Sequence, residues 1–502
     1  MKDVIELNTD QLEPPKAGDD LFVNRAVVAE LQSTAAEVTV IVQAFNRLEK
    51  TQRCVESVLK YTQAVDYALL LIDNGSTDGT LEYFKSVPHK KKQVIHVTKN
   101  VGMVYPTAAL SLVDMGRFVC QVNNDLIVTA HWLENMLACM KSDPKIGMVT
   151  PVSNNASNLQ GVEFPYKSYE EMQQKAAAFN KSDPRKWEDR LRLITLGTLY
   201  RKEALLAGGW PIFDAGFFHD FADDDITFRI RRMGYRAVLA GDTWICHDHD
   251  FRSGEDKDPA EYQRSLNIGK NNFTDKYLGV DAWDDVNNYY IPYLEQIRAP
   301  KGAKNVRILG VDVRCGTPIL DVRNWLRKSS IFDAELSAFT QDPKYWPDLK
   351  SVCAGTVVCD REEFLSDALP TGYFDYVIAD RPLNRYHEPQ KVMNDLFALC
   401  KSGGIVTCKL KNAFSFQEYV HLLGQRDVYD REFSYNFPVD AVGGALGRLG
   451  TVKAVTAIPF PMDEDTRRTI DSLIPAELPE RQRTELLNRM LCQEYLFVVE
   501  KY

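Results

Sequence analysis

A chain of 502 residues is long enough for two or three domains, each with its own core. Hydrophobic residues make up 45% and charged residues 26%, the balance of a globular protein, and the net charge of −10 excludes a general nucleic-acid binder, whose surface would be basic. No apolar run reaches the roughly 18 residues that span a bilayer. The polar N-terminus does not read as a secretory leader. The ten dispersed cysteines form no Cys-x-x-Cys pair, so a reduced, cytoplasmic protein is expected.

Residues 1–37 read as a polar arm with one short helix. An apolar run at 38–45 predicts a strand closed by Asn46-Arg47, and helical spacing follows over 48–61. A second strand at 67–72 is closed by Asp73-Asn-Gly-Ser-Thr-Asp-Gly-Thr80, and a third at 117–122 by Asn123-Asn124-Asp125. Helices are expected at 103–115 and 130–141, and the basic knot His89-Lys-Lys-Lys92 reads as a solvated loop. A polar helical insertion at 167–190 and Tyr- and Asn-rich helical stretches at 258–298 extend the domain, whose bounds are therefore 38–298. Residues 299–305, with Pro, Gly and charge, form the best linker. After it a second domain, 306–502, shows strands at 306–313, 331–336, 356–359, 374–378, 405–410, 452–458 and 494–499.

Continuous β-branched runs alternating with helices predict parallel strands buried on both faces, hence α/β domains. In such sheets ligands bind outside the carboxyl ends of the strands, where all three polar turns fall. Asp73 and Asn74 there suit a ribose hydroxyl and a base edge, or else an Asx-turn in which Gly75 supplies positive φ. Asp125, beside Asn123 and Asn124, offers the oxygen that Mg²⁺ or Mn²⁺ prefers, and a helix cap before Ala130 would use Thr129 instead. Asp223-Asp224-Asp225 crowd three carboxylates at a helix start, which suits either a general base or a favourable dipole contact. His247 follows an apolar run and is a candidate metal ligand, with His249 two residues on a weaker one and His219 a wall residue.

Together these motifs resemble the family 2 glycosyltransferases, inverting enzymes of the GT-A fold, over residues 38–250. Val40-Ile-Val-Gln-Ala-Phe-Asn-Arg47 is similar to the family's opening strand, Asp73 to Thr80 to its acidic turn, and Asn100-Val-Gly102 to its Asn-x-Gly. Asn123-Asn-Asp125 resembles the Asp-x-Asp metal motif, Ala222-Asp-Asp-Asp-Ile-Thr-Phe-Arg229 the base motif, and His247 the metal-binding histidine. The resemblance implies a hexosyltransferase-type enzyme that moves a sugar from a nucleotide-sugar donor to an acceptor hydroxyl on a glycan or protein. It implies donor contacts from Gln43, Asn46, Arg47, Asp73, Asn74, Asn100, Asn123 and Asn124, a Mn²⁺ or Mg²⁺ ion on Asp125 and His247, and Asp223 or Asp224 as base. Asn123 and Ala222 depart from the pattern, each replacing a carboxylate.

The second domain resembles a class I methyltransferase, a Rossmann-like fold that binds S-adenosylmethionine. Ile308-Leu-Gly-Val-Asp-Val-Arg-Cys-Gly-Thr317 is similar to its first strand and glycine loop, and Phe374-Asp-Tyr-Val-Ile-Ala-Asp380 to its fourth strand. Lys401-Ser-Gly-Gly-Ile-Val406 looks like the turn into the fifth, and 452–458 with 494–499 like the closing antiparallel pair. Arg314 and Pro318 stand where that family has glycines, so a degenerate domain without methyl transfer is expected. The rival expectations are a bifunctional glycosyltransferase and methyltransferase, and a non-catalytic sugar-binding scaffold.

Overall fold

The computed structural model of the chain describes residues 4–7, 36–100, 115–208, 213–214, 216–217, 220–248, 259–298, 304–423 and 435–502. The N-terminal helix, the helix expected at 103–115, His219, His249 and most of the linker at 299–305 lie outside them. The chain forms two compact units, Met1–Asn287 and Asn288–Tyr502, so that residues 288–298, expected to extend the first domain, group with the second.

The first unit is built on a ten-stranded sheet of order β1-β4-β3-β2-β5-β9-β7-β10-β6, with β8 paired to β10. Its parallel half comprises β1 (Ile5–Leu7), β2 (Val38–Ala44), β3 (Tyr67–Asp73), β4 (Lys92–Val97) and β5 (Phe118–Asn123). Apolar residues on both faces of β2 and β3 make these central strands, because every side chain finds cover there. One face packs Val40, Val42, Leu69, Leu71, Cys120 and Val122 under the helices Leu48–Tyr61 and Trp132–Ser142. Lys92 is part of no open basic patch, since its ammonium donates to the carbonyls of Phe84, Lys85 and Val87 at the end of helix Thr80–Ser86.

The other half departs from the parallel expectation. β9 (Thr198–Arg201) runs antiparallel to both β5 and β7 (Ile146–Ser153). β10 (Arg236–His247) lies parallel to β7 and antiparallel to β6 (Leu126–Ile127). The insertion at 167–190 is only partly helical: helix Tyr169–Phe179 gives way to β8 (Trp187–Asp189) on β10. Thr129 is not the cap foreseen for the next helix, which starts at Trp132 after His131, because its hydroxyl donates to the Trp244 carbonyl.

The second unit has a seven-stranded sheet of order β13-β12-β11-β14-β15-β17-β16. β11 (Val306–Val311), β12 (Ala334–Thr340), β13 (Val357–Cys359), β14 (Phe374–Ala379) and β15 (Cys400–Lys411) are parallel. β17 (Cys492–Lys501) runs antiparallel between β15 and β16 (Gly450–Pro459). All seven expected strands are present, including the closing antiparallel pair. Lys401 to Gly404 form no turn into the fifth strand; they lie inside β15 at a register shift, with Gly403 at φ 75°. Both units are therefore α/β with a Rossmann-like sheet. No helix among the described residues is long and apolar enough to cross a membrane.

Candidate functional site

In the first sheet the strand order reverses between β2 and β5, the position where open α/β sheets bind ligands. Asn46 and Arg47 follow β2 with φ of 54° and 62°, a left-handed reversal that starts the helix Leu48–Tyr61. The turn after β3 is stitched to this reversal. Ser76 Oγ accepts from Asn46 N (2.8 Å), Asn46 Oδ1 from Thr77 N (2.9 Å), and Asp78 Oδ2 from Leu48 N (2.8 Å). Burial raises the Asp78 carboxyl, but hydrogen bonds from Thr80 and Leu48 outweigh it and hold its pKa below the usual value. Gly75, at φ 76°, is required twice over: a Cβ there would stand 2.7 Å from the backbone nitrogen of Asn100.

The expected donor residues separate by where their polar atoms go. Asp73 is fully buried; Oδ1 accepts from Ser76 N, three residues on (3.2 Å), and Oδ2 lies 2.6 Å from His96 Nδ1, so the carboxylate holds the turn from inside. Asn74 donates to Asn100 Oδ1 at 3.0 Å. Asn124 turns away from the sheet edge, its amide donating to Thr51 Oγ1 (3.0 Å) and to the Asn46 carbonyl (3.4 Å). Gln43 and Asn123 are register partners across β2 and β5, and the side-chain oxygen Oε1 of Gln43 is buried without a hydrogen-bond partner among the described residues. Arg47 is exposed. His96 escaped the sequence reading because its partner is 23 residues distant and no local spacing marks it.

Asp125 and His247 are brought together. β10 pairs with β6, placing His247 opposite Leu126, with the Asp125 carboxylate oxygen 3.6 Å from Nε2. Nδ1 lies 2.7 Å from the Asn155 carbonyl, which can only accept, so Nδ1 carries a proton, and in the neutral ring, the form that binds a cation, Nε2 is the lone pair toward Asp125. Burial disfavours the imidazolium, yet Asp125 and the Asn155 carbonyl outweigh it and raise the His247 pKa. The gap is too long for a hydrogen bond and is about the span of two ligands that each bind one cation at ~2.1 Å. No group of three or more His, Cys, Asp or Glu residues that could hold a metal occurs among the described residues. A hard cation here would thus take its remaining ligands from phosphate oxygens and water, as Mg²⁺ sites commonly do. Lys50 and Arg53 flank the pair on Asp248, whose amide donates to the Asp125 carbonyl (2.9 Å).

The three aspartates at the start of helix Ala222–Arg232 have three different surroundings. Asp225 is buried and accepts from Arg229 Nε (2.8 Å) and the Tyr277 hydroxyl (2.7 Å), with Lys276 Nζ at 2.6 Å. Asp224 is buried against Arg192; burial raises its pKa, which Arg192 and Trp283 oppose. Only Asp223 is partly exposed, its carboxylate accepting a bond from the Thr195 hydroxyl. Asp224, expected as an alternative base, is therefore the anion of a buried ion pair.

The second sheet reverses its order between β11 and β14. Asp380, just past β14, is buried and held by Lys409 Nζ (2.5 Å) and by the amide of Asn288 (2.9 Å), which also reaches the Val313 carbonyl (3.4 Å). Asp312, just past β11, accepts both the backbone and side-chain N–H of Gln341 (2.9 and 3.0 Å). Burial works against the Lys409 ammonium, but Asp380 and Glu494 raise its pKa. Asp312 and Arg314 themselves take positive φ, at 50° and 52°. Pro318, expected to obstruct the loop, instead lies buried in the first turn of helix Thr317–Lys328, where a missing N–H costs nothing. Asn288 and Lys409 thus engage both carboxylate oxygens of Asp380 at this edge, while Arg314 beside it is exposed.

Among curated proteins no sequence matches the chain. Among solved structures, the mannosyltransferase PcManGT of Pyrobaculum calidifontis, in complex with GDP-Man and Mn²⁺, is similar at 18% identity over 50% of this chain and 74% of its own, with a TM-score of 0.33. A SAM-dependent methyltransferase from Archaeoglobus fulgidus is similar at 16% identity over 46% of this chain and 98% of its own, with a TM-score of 0.29. The complex of the Haloferax volcanii Trm112 activator with its methyltransferase is similar at 12% identity, over 43% and 90%, with a TM-score of 0.30. At these values the likenesses decide neither substrate nor activity. The family model of Glycosyl transferase family 2 matches residues 39–196, and the first unit thus carries a family 2 glycosyltransferase domain.

Proposed function

We propose that the first unit is a divalent-cation-dependent, inverting glycosyltransferase of hexosyltransferase type. Its donor is a nucleotide sugar and its acceptor a hydroxyl on a glycan or protein. The observation that carries this reading is the Asp125–His247 pair at the edge of a family 2 domain, with the Asn155 carbonyl fixing the tautomer that leaves Nε2 as a ligand. When bound, Mn²⁺ or Mg²⁺ would neutralise the donor diphosphate as it leaves. Asn46, Arg47, Asn74, Asn100, Gln43 and Asn123 line the donor end of β2, β3 and β5 in this reading. Asn124 supports the Asn46 reversal from behind.

Asp223 is the general base. Its partial exposure lets an acceptor approach, and the Thr195 hydroxyl holds one carboxylate oxygen so that the group keeps a single orientation. The acceptor oxygen forms a bond to the anomeric carbon on the face opposite the diphosphate, the carbon–phosphate-oxygen bond breaks, and the acceptor proton passes to Asp223. The second unit is a non-catalytic, acceptor-binding or structural domain; the hold of Asn288 and Lys409 on Asp380 at its sheet edge disfavours the bifunctional reading. All ten cysteines are free thiols, which fits work in the reducing cytoplasm.

Screening a panel of nucleotide sugars for metal-dependent hydrolysis tests the reading. Turnover should require Mn²⁺ or Mg²⁺, vanish in EDTA, and vanish in Asp125→Ala with the fold retained. Full turnover in EDTA would remove the metal from the mechanism, and silence across the whole panel would favour the sugar-binding scaffold.

A further inference from the structure

We propose that His96, and not the Asp73 carboxylate, reads the base of the nucleotide donor, and that it reads it as a hydrogen-bond acceptor; this rests on the donor-site reading above. Asp73 ends β3 and has no exposed surface, so no base edge reaches it. Its two oxygens are engaged by Ser76 N and by His96 Nδ1. His96 is the register partner of Asp73 on β4, one residue before that strand ends, and its side chain keeps 20% exposure. No described residue other than Asp73 bonds its ring. The pair thus has a buried end, the carboxylate, and an open end, the far side of the imidazole.

The chemistry of the open end follows from the closed one. An ionised carboxylate only accepts, so at 2.6 Å it fixes the ring proton on Nδ1. With a single proton on the ring, held at Nδ1, Nε2 is a lone pair. A base that offers an imino N–H on its pairing edge is complementary to it: uracil does so at N3 and guanine at N1. The corresponding ring nitrogens of cytosine and adenine are acceptors, and two lone pairs facing each other leave a desolvated acceptor without a donor. Asp73 accordingly acts through His96 as a positioning residue, and the acidic turn serves base selection indirectly. A purely structural His96–Asp73 bond would instead hold the turn for all nucleotides alike.

Calorimetry on the full chain with Mn²⁺ separates the two, using UDP, GDP, CDP, ADP, inorganic pyrophosphate, and the N3-methyl and N1-methyl derivatives of UDP and GDP. The wild type should bind UDP or GDP at least ~10-fold tighter than CDP and ADP, and methylation of the imino nitrogen should remove that advantage. His96→Phe should bring the preferred nucleotide down to the level of the others and leave pyrophosphate unchanged. A preference for CDP or ADP, unaltered binding of the methylated bases, or a His96→Phe chain that weakens all four nucleotides equally would overturn the proposal. Circular dichroism checks the variant's fold; should it be lost, the methylated nucleotides on wild-type protein decide alone. If nucleotides bind with no imino dependence, only the role of His96 falls. If neither nucleotides nor pyrophosphate bind, the donor-site reading falls and takes this one with it.

Discussion

The two units use the same device, a mostly parallel sheet whose strand order reverses once, and spend its edge differently. At the reversal in the first unit, Gln43 Oε1 is buried with no partner among the described residues, Asn123 is partly exposed, and Asp125 stands 3.6 Å from His247. At the reversal in the second, Asp380 is held by Lys409 and Asn288, and Asp312 by Gln341. A fold supplies the location of a site; whether a ligand finds one there depends on whether the chain has already satisfied its own polar groups. The contrast lies in the carboxylates: at the second edge the chain itself engages Asp380 and Asp312, although Asn288 Oδ1 there is buried without a hydrogen-bond partner among the described residues.

The largest effect expected from breaking this contrast is at Asp223. Loss of a general base typically costs ~10²–10⁴-fold in rate. Asp223→Asn should therefore transfer sugar at a small fraction of the wild-type rate while donor and metal affinities stay within a few-fold, because the amide keeps the bond to Thr195. Steady-state kinetics beside calorimetry would show the split. A fall in donor affinity with kcat preserved would make Asp223 a binding residue instead.

The next effect is one of stability and belongs to the second unit. Lys409→Met removes the cation from a buried carboxylate and leaves Asp380 with the Asn288 amide as its remaining side-chain partner among the described residues. Removing one partner of a buried pair costs about 3–5 kcal/mol, more than an exposed pair would. In a domain of this size that lowers Tm by roughly 6–20 °C. Calorimetric scanning should show that loss with donor hydrolysis unchanged at 25 °C. A Tm within about 2 °C of wild type would mean that the edge is not closed by this pair.

How much of this was legible in the sequence varies with the range of the interaction. Strands with apolar residues on both faces stood out, and all seven strands of the second sheet were placed to within a few residues. β7 and β9 were not foreseen by position, and β10 only through the apolar run before His247; their directions are set by partners far along the chain, β9 antiparallel to β5 and β7, and β10 parallel to β7. The acidic triplet shows a different limit. Adjacent residues on a helix point about 100° apart, so Asp223, Asp224 and Asp225 face three environments. Which one meets solvent depends on where Arg192 and Tyr277 arrive from, and neither is local. Asp73 was correctly placed at a strand end, yet its partner His96 lies on the next strand and left no motif.

The smallest expected effect is none at all, and it bears on the second edge directly. A ligand that binds only the folded state raises stability by RT ln(1 + [L]/Kd), so even S-adenosylmethionine at 100-fold its Kd would add about 2.7 kcal/mol. At this sheet's edge Asn288 and Lys409 hold Asp380 and Gln341 holds Asp312, so a cofactor that needed either carboxylate would have to displace them. Arg314, at φ 52° in the loop before helix Thr317–Lys328, stands where a glycine would let a cofactor approach the backbone. Titration of the full chain with millimolar S-adenosylmethionine should therefore shift Tm by less than about 1 °C and give no saturable heat. Asn288→Ala with Lys409→Met, which open the edge without restoring the glycines, should be equally silent. A saturable shift in the double variant alone would make the closure the cause of the loss, and a shift in the wild type would restore the bifunctional enzyme as the better reading.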